Sequence, residues 1–239
     1  MEPYLSPAVE TGLAVMQRLA ANLSVSKLPT QALDLYVVPR FLTGDDCAGI
    51  IALIGAGMAP STLMQEEPDK EFRTSSTCYM KRHEPLVRSV ESKITSLMGI
   101  DPRFGETIQG QHYSVGQQFK PHNDYFHANT PYWEDTQRRG GQRTWTLMVY
   151  LNDMEEGGHT NFPLAGLCLE PRRGNAIVWN NLDRAGQPNP ISLHQGMPVQ
   201  RGCKYIITKW YRERQTGPER AREVPSYGLA APYAMASAP

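Results

Sequence analysis

Apolar residues recur with a helical period in the first part of this chain and with a two-residue period in the second. Residues 6–23 place Val9, Leu13, Met16, Ala20 and Leu23 on one stripe, with Ser6 as N-cap and Pro7 at the first helical position. This predicts an amphipathic helix whose stripe docks on its own domain rather than on a second copy. Residues 33–38 read as a strand. Thr43 and Asp46 form a capping-box start for a second helix, carried through Ile50, Ile51 and Ile54 and stopped by Gly55 and Gly57. A third helix is predicted over 85–98, with Val87, Val90, Ile94 and Leu97 inside and Gly99 as its stop. From residue 107 onward strands dominate, at 107–115, 144–151, 160–162, 175–179 and 203–210, parted by Gly, Pro and Asn turns. Helices first and short strands afterwards indicate an α+β chain, a helical support on a sandwich or jelly-roll core.

Composition narrows the class. Apolar residues make up 40% of the 239, enough for one sizeable core. The pattern divides the chain into a helical segment (1–32), a main domain (33–212, its catalytic core about 107–212) and a tail rich in Ala, Pro and charge (213–239). Lys+Arg and Asp+Glu are equal at 24 each, which argues against nucleic acid or an anionic membrane as partner. No apolar run is long enough to span a bilayer. Glu2, Glu10 and Arg18 interrupt the N-terminal apolar positions, unlike a secretory signal. Cys47, Cys78, Cys168 and Cys203 lack a C-x-x-C spacing, so free thiols and a cytoplasmic location are expected. Oligomeric state is not legible.

The chemistry concentrates at residues 113–124, Y-S-V-G-Q-Q-F-K-P-H-N-D. On a strand, His122 and Asp124 would point to one face. With His194, in I-S-L-H-Q-G, they make two imidazoles and one carboxylate, the ligand set of non-haem Fe(II) oxygenases with open positions left over. Ten residues beyond His194 stands Lys204, on an alternating face with Ile206, Thr208 and Trp210. A buried lysine needs a partner, and a metal-bound 2-oxo acid would be one. The alternative is a lysine at the strand mouth reaching water. His112, His127 and His159 lack the spacing for a second metal. Gly157-Gly158 read as a tight turn, and Glu155 and Glu156 as its solvated edge.

Four blocks in order carry a resemblance: Y-S-V-G-Q-Q-F-K-P-H-N-D-Y-F, R-T-W-T-L-M-V-Y-L-N-D, E-E-G-G-H-T-N-F-P and L-H-Q-G-M-P-V-Q-R-G-C-K-Y-I-I-T-K-W. Together they resemble the catalytic domain of the prolyl 4-hydroxylase group of 2-oxoglutarate- and Fe(II)-dependent dioxygenases, with Arg73-Thr74-Ser75 as a weaker upstream element. The resemblance implies a double-stranded β-helix (jelly-roll) fold and Fe(II) on His122, Asp124 and His194. It further implies 2-oxoglutarate held by Lys204, Tyr113 and Thr146, O2 as co-substrate and ascorbate as reductant. The implied reaction hydroxylates a C–H bond, foremost of a prolyl residue in a peptide or protein, and releases succinate and CO2. Phe119 stands where these enzymes carry a tyrosine near the substrate, which leaves a free amino acid or other small metabolite open as the target. His159 departs from the family's acidic or small residue, and Asn123 is expected to point away from the metal. A cupin-like metal-binding protein without turnover would have no use for Lys204 and Tyr113. Residues 126–142 lack any period and are expected to form a lid. Phe119, Tyr132, Trp133, Arg143 and Trp179 are the candidates for lid or substrate contact.

Overall fold

The computed structural model describes residues 6–61 and 69–216. The chain runs through α1 (Pro7–Ala20), β1 (Ser26–Lys27), β2 (Leu35–Val38), α2 (Gly44–Gly57), β3 (Ala59–Pro60), β4 (Ser76–Tyr79) and α3 (Pro85–Met98). Next come β5 (Gln109–Tyr113), β6 (Phe119–His122), α4 (Trp133–Arg138), β7 (Arg143–Tyr150) and β8 (Glu156–Gly157). The last are β9 (Thr160–Phe162), β10 (Leu167–Leu169), β11 (Ala176–Asn180), β12 (His194–Gly196), β13 (Val199–Arg201) and β14 (Lys204–Arg212). Among the described residues, eight strands form the major sheet, in the order β1-β2-β11-β7-β14-β5-β4-β3, and four form the minor one, β10-β9-β12-β6. The strand pairings within both are antiparallel. This is the α+β, jelly-roll architecture that the pattern implies.

The two-residue period sorts the core into two layers. On β7, Trp145, Leu147 and Val149 join α1, α2 and α3, while Met148 and Tyr150 face the minor sheet with Phe119, Phe162 and Trp179. All eight residues of β7 are buried, because both faces of the strand are covered. β14 obeys the same rule, with Ile207 and Tyr211 on the helical side and Ile206 on the other.

The helices follow the sequence with two corrections. On α1 the inward residues are Gly12, Val15 and Leu19, while Leu13, Ala20 and Leu23 face solvent. The buried stripe lies to one side of the expected one because the helix approaches the sheet through Gly12. A Cβ there would stand 3.7 Å from the Asn180 amide nitrogen. The docking is nonetheless intramolecular, since the Arg18 guanidinium donates to the Ser96 carbonyl at 2.9 and 2.7 Å. On α2 the capping box is present and Gly57 is the last helical residue, with Met58 as C-cap, but Gly55 lies inside the helix. A helical glycine costs only about 1 kcal/mol, and a Cβ on Gly57 would meet the Cys78 sulfur at 2.9 Å. α3 has the expected bounds, closed by Gly99 at φ 70°. No helix among the described residues is long and apolar enough to cross a membrane.

Residues 126–142 are not an irregular loop. They contain α4, and the Gln142 amide clasps both ends by accepting from Phe126 N and donating to Phe126 O. Beyond β14, Arg214 N bonds the Gly140 carbonyl and Thr216 N the Arg103 carbonyl. Residues 217–239, most of the expected tail, lie outside the described residues.

Arg143, expected at the lid, is instead part of a buried ion cluster. Its guanidinium donates to both Glu106 oxygens at 2.7 and 2.8 Å, and Arg212 Nε adds a third bond at 2.6 Å. The Arg143 plane also lies over Trp210, 4.1 Å from its centroid. Burial alone would raise the Glu106 carboxyl, but the two guanidinium groups dominate and hold it at about 2. A carboxyl held low in the fold contributes stability above its unfolded value and loses it as pH falls towards the folded one. Glu106→Gln should therefore cost about 3–5 kcal/mol at neutral pH by leaving two buried cations short of charge. Denaturant titrations should also show a smaller loss of stability between pH 4.5 and 2 than in the unaltered protein.

Candidate metal and co-substrate site

His122 is the last residue of β6 and His194 the first of β12, and the two are direct partners in the antiparallel pairing. Asp124 lies beyond the end of β6, in a bend. The chain turn, rather than strand alternation, therefore brings its carboxylate to the imidazoles. All three residues are buried, and one donor atom from each lies within 4.8 Å of the others.

Hydrogen bonds fix which imidazole atoms are available. His122 Nδ1 stands 2.7 Å from the Lys120 carbonyl and His194 Nδ1 2.9 Å from the Ser192 carbonyl. A carbonyl only accepts, so each Nδ1 carries the proton and each Nε2 keeps its lone pair for a metal. Burial, and the neighbouring His194, push His122 well below the ordinary histidine range. Phe119 stacks on the His122 ring at 3.6 Å, Trp179 meets the His194 ring edge-to-face, and Arg73 lies over the Phe119 ring. Two neutral imidazoles and one carboxylate, walled by aromatic rings, fit Fe(II).

Thr146 sits behind this cluster. Its hydroxyl donates to Asp124 Oδ2 at 2.7 Å and accepts from the Asn181 amide at 2.8 Å. The structure thus places it on the metal side, not against Lys204 where the co-substrate would lie. Asn123, expected to be idle, donates to Ser192 Oγ and ties the loop after β6 to the one before β12.

A cleft of about 380 Å³ opens over the three ligand residues, and Tyr113, Phe119, Thr160, Trp179 and Lys204 are among its walls. Lys204 is only 2% exposed. Its Nζ lies 5.5 and 5.6 Å from the ring centroids of Tyr113 and Tyr150, and among the described residues no carboxylate is within ion-pair distance. Burial lowers it to about 7. A cation so placed is costly unless a ligand brings the opposite charge, and the distal carboxylate of 2-oxoglutarate fits. Thr160, which the sequence reading passed over, accepts from Tyr150 OH and lines the same wall. Its place in the block G-G-H-T-N-F was the available signal. Tyr132, Trp133 and Arg143 are not on the wall of the cleft. Tyr132 packs on Phe126.

Residues 108–212 match the 2OG-Fe(II) oxygenase superfamily. Over 200 residues the chain is 34% identical to "Probable prolyl 4-hydroxylase 8" of Arabidopsis thaliana, covering 74% of this chain and 67% of the relative. The chain belongs to the prolyl 4-hydroxylase family. Prolyl 4-hydroxylase 5 of the same plant is likewise 34% identical, over 73% of this chain and 67% of its own length. Among solved structures, a viral collagen prolyl hydroxylase from Paramecium Bursaria Chlorella virus-1, in complex with 2OG, aligns with TM-score 0.58 and 25% identity over 74% of this chain and 94% of its own. As a member of the family, this protein is a 2-oxoglutarate-dependent dioxygenase that uses Fe(II).

Removing the lysine tests the co-substrate half of the site. Lys204→Ala should raise the KM for 2-oxoglutarate by about 10- to 100-fold, since a charge-assisted hydrogen bond contributes about 1.5–3 kcal/mol. A bound carboxylate favours the charged lysine, and the free lysine loses its proton above about pH 7. KM should accordingly climb as pH rises through that value in the unaltered enzyme and lose this dependence in Lys204→Ala. Steady-state kinetics across pH checks both.

Proposed function

We propose that this family member hydroxylates a prolyl residue within a peptide or protein, with His122, Asp124 and His194 holding Fe(II) and with Lys204, Tyr113 and Thr160 holding 2-oxoglutarate. The observation that carries the reading is the placement of three convergent metal donors and one acid-free buried lysine on the walls of one cleft. Bound there, iron and 2-oxoglutarate would supply the oxidation of a C–H bond by O2, with release of succinate and CO2. The protein's own residues do the rest. The Nδ1–H bonds keep both Nε2 atoms aimed at the metal position, Lys204 orients the co-substrate by its far end, and Phe119, Trp179 and Trp210 exclude water from the reacting centre. Ascorbate, returning oxidised iron to Fe(II), belongs to the same proposal.

Prolyl peptides are favoured as substrates because the relatives named above are prolyl hydroxylases. The buried wall of the cleft also carries the polar side chains of Gln111 and Thr208. A free amino acid or small metabolite is the second reading. Phe119 favours it, because the tyrosine hydroxyl that the family offers near its substrate is missing here.

Proline-rich peptides and free proline, each incubated with enzyme, Fe(II), 2-oxoglutarate and ascorbate, separate the two. Mass spectrometry should show a gain of one oxygen on the peptide, coupled to succinate. Oxidation of free proline alone would establish the second reading. Asp124→Ala and His194→Ala should each abolish turnover at saturating Fe(II), and retained turnover in either would remove that residue from the metal site.

A further inference from the structure

A line of hydrogen bonds runs behind the metal site and joins two of its ligands. Asn181, directly after β11 and fully buried, donates through Nδ2 to Thr146 Oγ1 at 2.8 Å, and Thr146 donates to Asp124 Oδ2 at 2.7 Å. From the Asn181 backbone the line continues. Its carbonyl accepts from Asn189 N, the Asn189 carbonyl accepts from Ser192 Oγ, and the Ser192 carbonyl holds His194 Nδ1. Asn189 is itself anchored through its side chain to the Ala32 carbonyl.

The direction of these bonds matters more than their number. A threonine hydroxyl has one proton and can either give or receive along each line. The Asn181 amide offers only N–H to Oγ1, so the hydroxyl must accept there, and its single proton is left for Asp124. Without the amide the hydroxyl could rotate about its C–O bond, and the carboxylate would lose a fixed donor in a buried site. We infer that Asn181 is a positioning residue for Asp124, acting through Thr146 to hold the carboxylate in one orientation before the metal arrives. This rests on the reading that His122, Asp124 and His194 bind the metal, and it gives a role to a side chain that touches neither metal nor substrate.

Titration with Co(II), an air-stable probe with visible absorption when bound, tests this on the full chain without turnover. Unaltered protein should bind one Co(II). Thr146→Val, which keeps the shape and removes the hydroxyl, should weaken binding by about 10- to 100-fold, the usual cost of losing a partner that orients a ligand. Thr146→Ser should recover most of that loss. Asn181→Ala should weaken binding in the same direction, and the double variant Asn181→Ala/Thr146→Val should bind no worse than Thr146→Val alone, because the amide works only through the hydroxyl. A merely structural role predicts losses that multiply and follow the melting temperature of the metal-free protein. That result, or Co(II) binding by Thr146→Val as tight as that of unaltered protein, overturns the inference. Should Asn181→Ala fail to fold, the isosteric Asn181→Asp serves. Its carboxylate would draw the threonine proton away from Asp124 and weaken Co(II) binding, and unchanged binding again overturns the inference. Failure of the unaltered protein to bind Co(II) would instead remove the metal reading itself, and this inference with it.

Discussion

β14 separates two interiors, and the function depends on keeping its alternate residues apart. The strand carries two buried lysines, and their opposite treatment shows what each face is for. Lys209, on the helical side, meets the Glu91 carboxylate and the Glu106 carbonyl. Lys204, an odd number of residues earlier and so on the other face, meets two tyrosine rings and no acid. The first is a satisfied structural cation, and the second waits for a charge from outside the chain. A one-residue slip in register would exchange them, emptying the cleft of its anion anchor and burying an unpaired charge among the helices. The pairing of Lys204 with Tyr113 and of Trp210 with Thr146 prevents that slip. The hydrophobic alternation that holds the sheet together is thus also what places the co-substrate residues.

What was legible in the sequence follows the same division. Long strands buried on both faces announce themselves, so the sequence shows β7 and β14 to within a residue or two and sets Lys204 and Ile206 on one buried face of β14. α3 was equally plain, because four apolar residues at helical spacing and a terminal glycine agree. The short strands β6 and β12 have too few residues for a period, so His122 and His194 could be nominated by chemistry but not placed opposite one another. α1 was assigned a neighbouring stripe because a glycine at its closest approach leaves no apolar signal. Thr146 and Arg143 were given contacts with small molecules, whereas both are spent on partners distant in sequence, Asn181 and Glu106. Pairings of that kind leave no trace in local spacing.

Charge around the cleft is arranged unevenly. Arg143 and Arg212 share Glu106, which balances one of their two positive charges beside Trp210. Among the described residues, Arg73, over Phe119, bonds the hydroxyls of Ser75 and Thr77, and Lys204 has no ion-pair partner. Such a surround favours a neutral His122 at the metal and a dianionic co-substrate beside it. Phe119 also bears on this. A tyrosine would carry a hydroxyl at the edge of its ring, whereas the phenyl ring stacks on His122 and offers a substrate no hydrogen bond.

The ligands sit on the weakest part of the sheet framework. β6 and β12 have four and three residues, and their register shifts between His194 and Gly196. So few ladder bonds cannot by themselves hold three donor atoms to the tolerance that a metal requires. The bonds that compensate come from side chains outside the ladder: Asn123 to Ser192, Asn189 to Ala32, Gln142 to Phe126 and Asn181 to Thr146. Each joins segments far apart in sequence and is buried or nearly so. Fold stability resides chiefly in the major sheet and the helices packed on it, while order at the site resides in these amides. The two can therefore be lost separately, and a protein that still folds around β7 and β14 can have lost the geometry that makes it an oxygenase.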